Sequence, residues 1–205
     1  YEPLCAWLTT QVGGRLVKID CQREETFVNN RVRHAIRTHI ISWVRPDGSF
    51  AARKIECFSN QGAYASHGHG VVAKGMGAFH QIYPCPNVEG DAWSVFTNRP
   101  AAGAMRGYGI PQAMWAGECH LDDVARVLGR DPTEYRRQVV MPKGFVDNFS
   151  KNENYEDSFR QVMDKGMAAI GYEEKRRAYA NQTGPVRRGV GMALFWYNTA
   201  VWPIS

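Results

Sequence analysis

Cysteine is scarce in this sequence and never closely spaced. Cys5, Cys21, Cys57, Cys85 and Cys119 stand far apart, and no C-x-x-C pair occurs. That spacing excludes a zinc ribbon or an iron–sulfur loop within the chain and favours free thiols in a reducing cytoplasm. No run approaches the roughly 18 apolar residues of a membrane span, and no charged-then-apolar signal segment opens the chain. A phosphate-binding G-x-x-x-x-G-K-[ST] run is missing as well. Arg187-Arg188-Gly189-Val190-Gly191 offers a G-x-G without the third glycine that opens a dinucleotide-binding helix. Charge of one sign is not concentrated anywhere. The 25 Lys and Arg against 20 Asp and Glu leave +5, and the cations interleave with acids, as in Glu173-Glu174-Lys175-Arg176-Arg177. A mildly basic surface is expected rather than a nucleic-acid footprint, and no membrane partner.

What is present is globular: 44% hydrophobic and 22% charged over 205 residues. The chain opens at Tyr1 and closes on apolar Trp202-Pro203-Ile204-Ser205, so it reads as a segment of a longer polypeptide. Residues 2–12 predict a helix stopped by Gly13-Gly14. RLVKIDC (15–21) predicts a short strand. IRTHIISWV (36–44) and ARKIECF (52–58) flank Arg45-Pro46-Asp47-Gly48-Ser49, the chemistry of a hairpin turn. Residues 60–80, rich in Gly, His and Ala, have no clear period and predict a loop. AWSVFTN (92–98) predicts a strand. Met114, Leu121, Val124 and Leu128 recur at helical spacing. Asp131-Pro132-Thr133-Glu134 looks like a new helix start, with Asp131 as cap and Glu134 reaching back. The polar segment 141–156 is the best linker. A helix pair is expected over 156–180 and a strand from Arg188 to Tyr197. The fold class is α+β, mixed sheets with packed helices.

The stretch TNRPAAGAMRGYGIPQ (97–112) lies between a strand and a helix and holds three glycines and two prolines. No helix or strand interior tolerates that mixture. Gly103, Gly107 and Gly109 let the backbone N–H groups near Met105, Arg106 and Gly107 approach a ligand, and the positive end of the following helix favours an anion. Arg106 adds a cation, and Tyr108 adds a flat surface for a planar ring. The alternative is a tight loop with its arginine in a surface salt bridge. Elsewhere, His67-x-His69 lacks a third metal ligand and reads as a hydrogen-bonding pair. Cys119 and His120 point apart on one helix, so they form no catalytic pair. Asp122-Asp123 reads as a solvated face. The physics thus ends at a pocket for something anionic and planar.

Residues 97–138 closely resemble a signature of the molybdenum hydroxylases, the family of xanthine dehydrogenases and aldehyde oxidoreductases. The match reads Thr97-Asn98, Gly103-Ala104-Met105-Arg106-Gly107-Tyr108-Gly109, Pro111-Gln112, then Gly129-Arg130-Asp131-Pro132-Thr133-Glu134-Tyr135-Arg136. Arg23-Glu24-Glu25 and Tyr83-Pro84-Cys85-Pro86-Asn87 are similar to two further family segments, and the likeness points to the molybdenum-binding subunits of bacterial xanthine dehydrogenases.

This resemblance implies that residues 1–142 form part of a first molybdopterin-binding subdomain, and 143–205 a linker and the start of a second. It implies a molybdenum–molybdopterin cofactor, in its cytosine dinucleotide form in bacteria, with iron–sulfur clusters and FAD on other domains or subunits. Ala104, Met105, Arg106 and Gly107 would lie against the cofactor, the Met105–Arg106 backbone facing the metal. Arg106 would be the catalytic residue of this segment, stabilising developing negative charge. Tyr108, often Phe in relatives, would stack on the substrate. Lys74 falls where purine-oxidising relatives often carry an Arg, and supplies charge without a two-pronged contact. The implied reaction oxidises a purine or related N-heterocycle with water-derived oxygen, using a base outside this segment. An aldehyde or aromatic thioester is the alternative substrate, and a non-catalytic ligand- or nucleic-acid-binding module the alternative of another class.

Overall fold

In the computed structural model, which describes residues 1–147, 151 and 153–197, a hairpin and a crossover build one mixed sheet. Strands β1 (Ile36–Val44) and β2 (Phe50–Gly62) pair antiparallel. The turn between them closes as expected: Arg45 N–H bonds Ser49 O at 2.9 Å, Asp47 accepts from Ser49 N at 2.8 Å, and Gly48 takes φ +94°. Strand β2 then pairs parallel with β3 (Val88–Phe96), giving the order β1-β2-β3. Parallel neighbours need a crossover, and here it is a helix.

That helix, the third in the chain, corrects the loop expected over 60–80. Counting from the N-terminus, α1 (Glu2–Gln11) and α2 (Arg23–Asn29) come first and bury no residue; α3 (Gly68–Ala78) is the crossover. Four glycines argue against α3 by propensity. Packing overrides this, because a Cβ at Gly75 would stand 3.1 Å from Gly109 O. Helix α4 (Ile110–Val127) lies beside α3 and β1. Then come α5 (Pro132–Val139), α6 (Ser158–Ile170) and α7 (Tyr172–Ala178). The core gathers Ile55 and Cys57 from the sheet, Val72 from α3, and Ile110, Ala113 and Leu121 from α4.

Two expected strands are absent among the described residues. Residues 15–21 pair with nothing, and Leu16 is 97% exposed. Residues 188–197 also form no ladder. Their one fully buried side chain is Leu194, whose N–H donates to a carboxylate, Glu118 Oε2, at 3.0 Å. The Asp131 cap is as expected, accepting from Thr133 N at 2.8 Å and Glu134 N at 3.2 Å. Glu134 does not reach back; its carboxylate lies 4.0 Å from Arg137 Nε.

Candidate cofactor and substrate site

The chain leaving β3 is fastened before it reaches the glycine-rich stretch. Thr97 N–H bonds Gly62 O at 3.0 Å, Ala102 N–H bonds Gln61 O at 2.9 Å, and Gly103 N–H bonds Val32 O at 3.0 Å. Beyond Gly103 the pattern changes. Among the described residues, the N–H groups of Ala104, Met105, Arg106 and Gly107 donate to no backbone carbonyl. The loop is held instead through its carbonyls: Arg33 Nη2 donates to Arg106 O at 2.8 Å and Tyr108 N–H to Met105 O at 2.8 Å.

Gly107, Tyr108 and Gly109 take φ of +98°, +45° and +93°. A non-glycine residue in that region costs about 1–2 kcal/mol, so the turn around Tyr108 is held by its surroundings. Gly109 is obligatory on two counts, since a Cβ there would meet Val71 O at 2.1 Å. This contact seats the start of α4 directly on α3. It also places the Tyr108 hydroxyl over Gly70, where a Cβ would be 2.7 Å from it. Lys74 stands one helical turn further along the same face of α3.

Ala104, Met105 and Arg106 are exposed, while Tyr108 and Lys74 are half-buried. Arg106 has no carboxylate partner among the described residues, so the salt-bridge alternative for this loop fails there. Lys74 Nζ lies 5.8 Å from the centre of the Tyr197 ring, within cation–π range. Four consecutive free N–H groups beside an unpaired guanidinium form a donor set suited to a group rich in oxygen acceptors. A pterin-bound oxomolybdenum centre is such a group, and the residues fit it.

Not every candidate joins this site. No group of three His, Cys, Asp or Glu able to hold a metal exists among the described residues. His67 bonds the Tyr108 hydroxyl through Nδ1 at 3.0 Å. Cys119 is exposed while His120 turns inward, its Nε2 2.8 Å from Ser42 Oγ; burial, then Arg53, lowers its pKa.

A second cluster escaped the sequence reading. Glu118, 6% exposed, accepts from Tyr83 Oη at 2.7 Å, Arg136 Nε at 2.8 Å and Leu194 N at 3.0 Å. Arg136 also reaches Asp122 Oδ1 at 2.6 Å, so this half-exposed aspartate is paired, while Asp123 beside it is exposed. Burial, then Glu118, holds the Tyr83 phenol far above its ordinary pKa, so it remains a donor. For Arg136, burial opposes the charge, and Glu118 together with Asp122 more than restores it. Arg136 ends the Gly129–Arg136 run that resembles the family signature, but nothing in its spacing names its buried partner.

The chain belongs to the molybdopterin cofactor-binding domain family, whose model matches residues 1–140. A putative xanthine dehydrogenase molybdenum-binding subunit of Escherichia coli (strain K12) is 38% identical over 204 residues, spanning 100% of this chain. The nicotinate dehydrogenase large molybdopterin subunit of Eubacterium barkeri is 32% identical over 84% of it. The chain spans 27% and 41% of the length of these two relatives. Among solved structures, quinoline 2-oxidoreductase from Pseudomonas putida is 28% identical, with a TM-score of 0.71 over 84% of this chain and 23% of its own. The aldehyde oxidoreductase of Desulfovibrio desulfuricans, 24% identical, shares the fold at a TM-score of 0.73 over 84% of this chain and 19% of its own.

Proposed function

We propose that this chain is part of the molybdenum-binding catalytic subunit of a hydroxylase acting on a purine or related N-heterocycle. The observation that carries this is one juxtaposition: the donor-rich 104–107 loop and the Tyr108 ring lie where α4 begins against α3, with Lys74 one turn along the α3 face that carries Gly70. When bound, the molybdenum–molybdopterin group supplies the two-electron oxidation by which water and a ring C–H give C–OH, two protons and two electrons.

The residues of this chain bind and orient. The N–H groups of Ala104, Met105, Arg106 and Gly107 would hold the cofactor through its oxygen acceptors. Arg106 adds fixed positive charge where negative charge develops on the substrate. Tyr108 offers its face to the heterocycle and limits the approach angle. Lys74 supplies a point charge to a ring substituent. We assign the cofactor its cytosine dinucleotide form, and place iron–sulfur and FAD carriers on other domains or subunits, in a cytoplasmic assembly. Residues 1–142 belong to the first cofactor subdomain and 143–205 to a linker and the start of the second.

An aldehyde or aromatic thioester is the second reading. It is favoured by the single-pronged Lys74 and by likeness to the aldehyde oxidoreductase of Desulfovibrio gigas, 27% identical at a TM-score of 0.66 over 74% of this chain and 16% of its own. The deciding experiment is the full-length protein with its partner subunits from a molybdenum-supplied host, beside Arg106→Ala. Molybdenum near one per subunit, with xanthine or hypoxanthine turnover lost in the variant, is the expected result. Metal with turnover of aldehydes alone selects the second reading. A folded, metal-free protein refutes both and leaves a non-catalytic binding module.

A further inference from the structure

Tyr108 sits on a poor foundation for a ring that has to be still. Its backbone is left-handed at φ +45°, and the glycines on either side are also at positive φ. Such a turn does not fix a side chain by itself, because glycine removes the steric limits that normally do so. The ring is held from outside, at its hydroxyl. His67 Nδ1 lies 3.0 Å from Tyr108 Oη, with the two rings edge-on at 75° and their centres 6.1 Å apart. The His67 backbone is itself held, since its carbonyl accepts from Val71 N at 2.9 Å in the first turn of α3. On the other side of the hydroxyl lies the bare backbone of Gly70, where a methyl group would come within 2.7 Å of Oη. A phenol has one proton to give and a small set of lone pairs, and here both its reach and its direction are taken by α3.

We propose that His67 is a positioning residue which pins the Tyr108 ring to α3 through the phenol hydroxyl, so that this hydroxyl orients the ring and does not select the substrate. The proposal rests on the reading of Tyr108 as the ring that faces the substrate. It assigns a role to the hydroxyl that distinguishes Tyr108 from phenylalanine, and it couples three positions, His67, Gly70 and Tyr108, across one helix face. Because His67 is exposed, the bond competes with water, and its loss is felt as a looser ring rather than a lost site.

The test uses the full-length holoenzyme with its electron-transfer partners, as Tyr108→Phe, His67→Phe and the double variant. Each single change is expected to lower kcat about 3–10-fold with little change in KM, at unchanged molybdenum content and unchanged rank among the substrates turned over. The double variant should be no slower than the slower single one. Gly70→Ala should slow the wild type and leave the Tyr108→Phe enzyme unaffected. Additive losses overturn the proposal. So does a Tyr108→Phe enzyme that reorders its substrates while His67→Phe does not, for that places the hydroxyl on the substrate. Failure of the functional reading shows separately, as a wild type without heterocycle turnover. Thermal unfolding of the same four proteins then decides: a double-variant Tm shift smaller than the sum of the single shifts supports the pinning, and an additive shift refutes it.

Discussion

Removing the carboxylate of Glu118 is the most direct way to test how this domain is tied together. Three donors converge on it from three parts of the chain: Tyr83 before β3, Arg136 on α5, and the N–H of Leu194 in the C-terminal segment. Breaking a buried ion pair by deleting one partner costs about 3–5 kcal/mol, chiefly because the other charge is left uncompensated. Here the guanidinium keeps Asp122 at 2.6 Å, and that aspartate is half-exposed. The uncompensated charge is therefore partial, while the buried Tyr83 hydroxyl loses its acceptor. Glu118→Ala should thus fall at the low end, about 3 kcal/mol, or a Tm lower by about 6–12 °C for a unit of this size. Glu118→Gln keeps an oxygen for Arg136 and Leu194 and an amide that the Tyr83 oxygen can accept from, so it should cost well under half as much. The local signature is amide exchange: Leu194 N–H should lose protection in Glu118→Ala while the β2 ladder keeps its own. A loss below about 1 kcal/mol in Glu118→Ala would refute a buried tie at this position, while equal losses in the two variants would show that the charge rather than the hydrogen bonds carries it.

Three further outcomes follow from the same geometry. Gly109→Ala should cost several kcal/mol and reduce molybdenum content measured by metal analysis, because the new methyl meets Val71 O at 2.1 Å in a left-handed turn. Asp131→Ala should cost about 1 kcal/mol by chemical denaturation, with metal content unchanged, since it removes the cap of α5 and touches none of the loop residues in any hydrogen bond or ion pair among the described residues. His120 has its pKa lowered by burial and then by Arg53. Its neutral form is the one the fold favours, so its contribution is full above the unfolded value of about 6.5 and is lost as pH falls from there toward the folded value. Tm measured from pH 7 to 5 should fall less steeply in His120→Gln, and an unchanged slope would remove His120 from the acid sensitivity.

Local chemistry made the hairpin, α4 and the α5 cap legible in the sequence. Pro-Asp-Gly fixes a turn, a 3.6-residue apolar repeat fixes a helix face, and an aspartate before Pro-Thr satisfies two N–H groups. The failures share a cause. Helix α3 was unreadable because three of its glycines answer groups distant in sequence, Gly68 the Gln61 side chain, Gly70 the Tyr108 hydroxyl and Gly75 the Gly109 backbone, rather than their own neighbours. The segments 15–21 and 188–197 have strand-like composition, yet a strand exists only where a partner ladder does, and the peptide at Leu194 found a side-chain carboxylate instead. Glu118 shows the same limit from the other side. An acid in mid-helix looks solvated until the fold brings Arg136 and Tyr83 to it.

The candidate site divides along the same line. That residues 103–109 present donors and a ring was legible, because glycine and aromatic chemistry act where they stand. What the ring is held by was not, because His67 lies 41 positions away in sequence and reaches Tyr108 only once α3 has formed. The two facts depend on each other. The glycines that free four N–H groups for a ligand also unfix the ring beside them, and the glycine-rich α3 then brings a histidine and a bare backbone close enough to fix it again. On the proposed reading, a loop that opens its backbone to a cofactor is steadied by a helix packed against it at backbone contact. The Gly75–Gly109 approach supplies that contact, which makes α3 as much a part of the site as the loop itself.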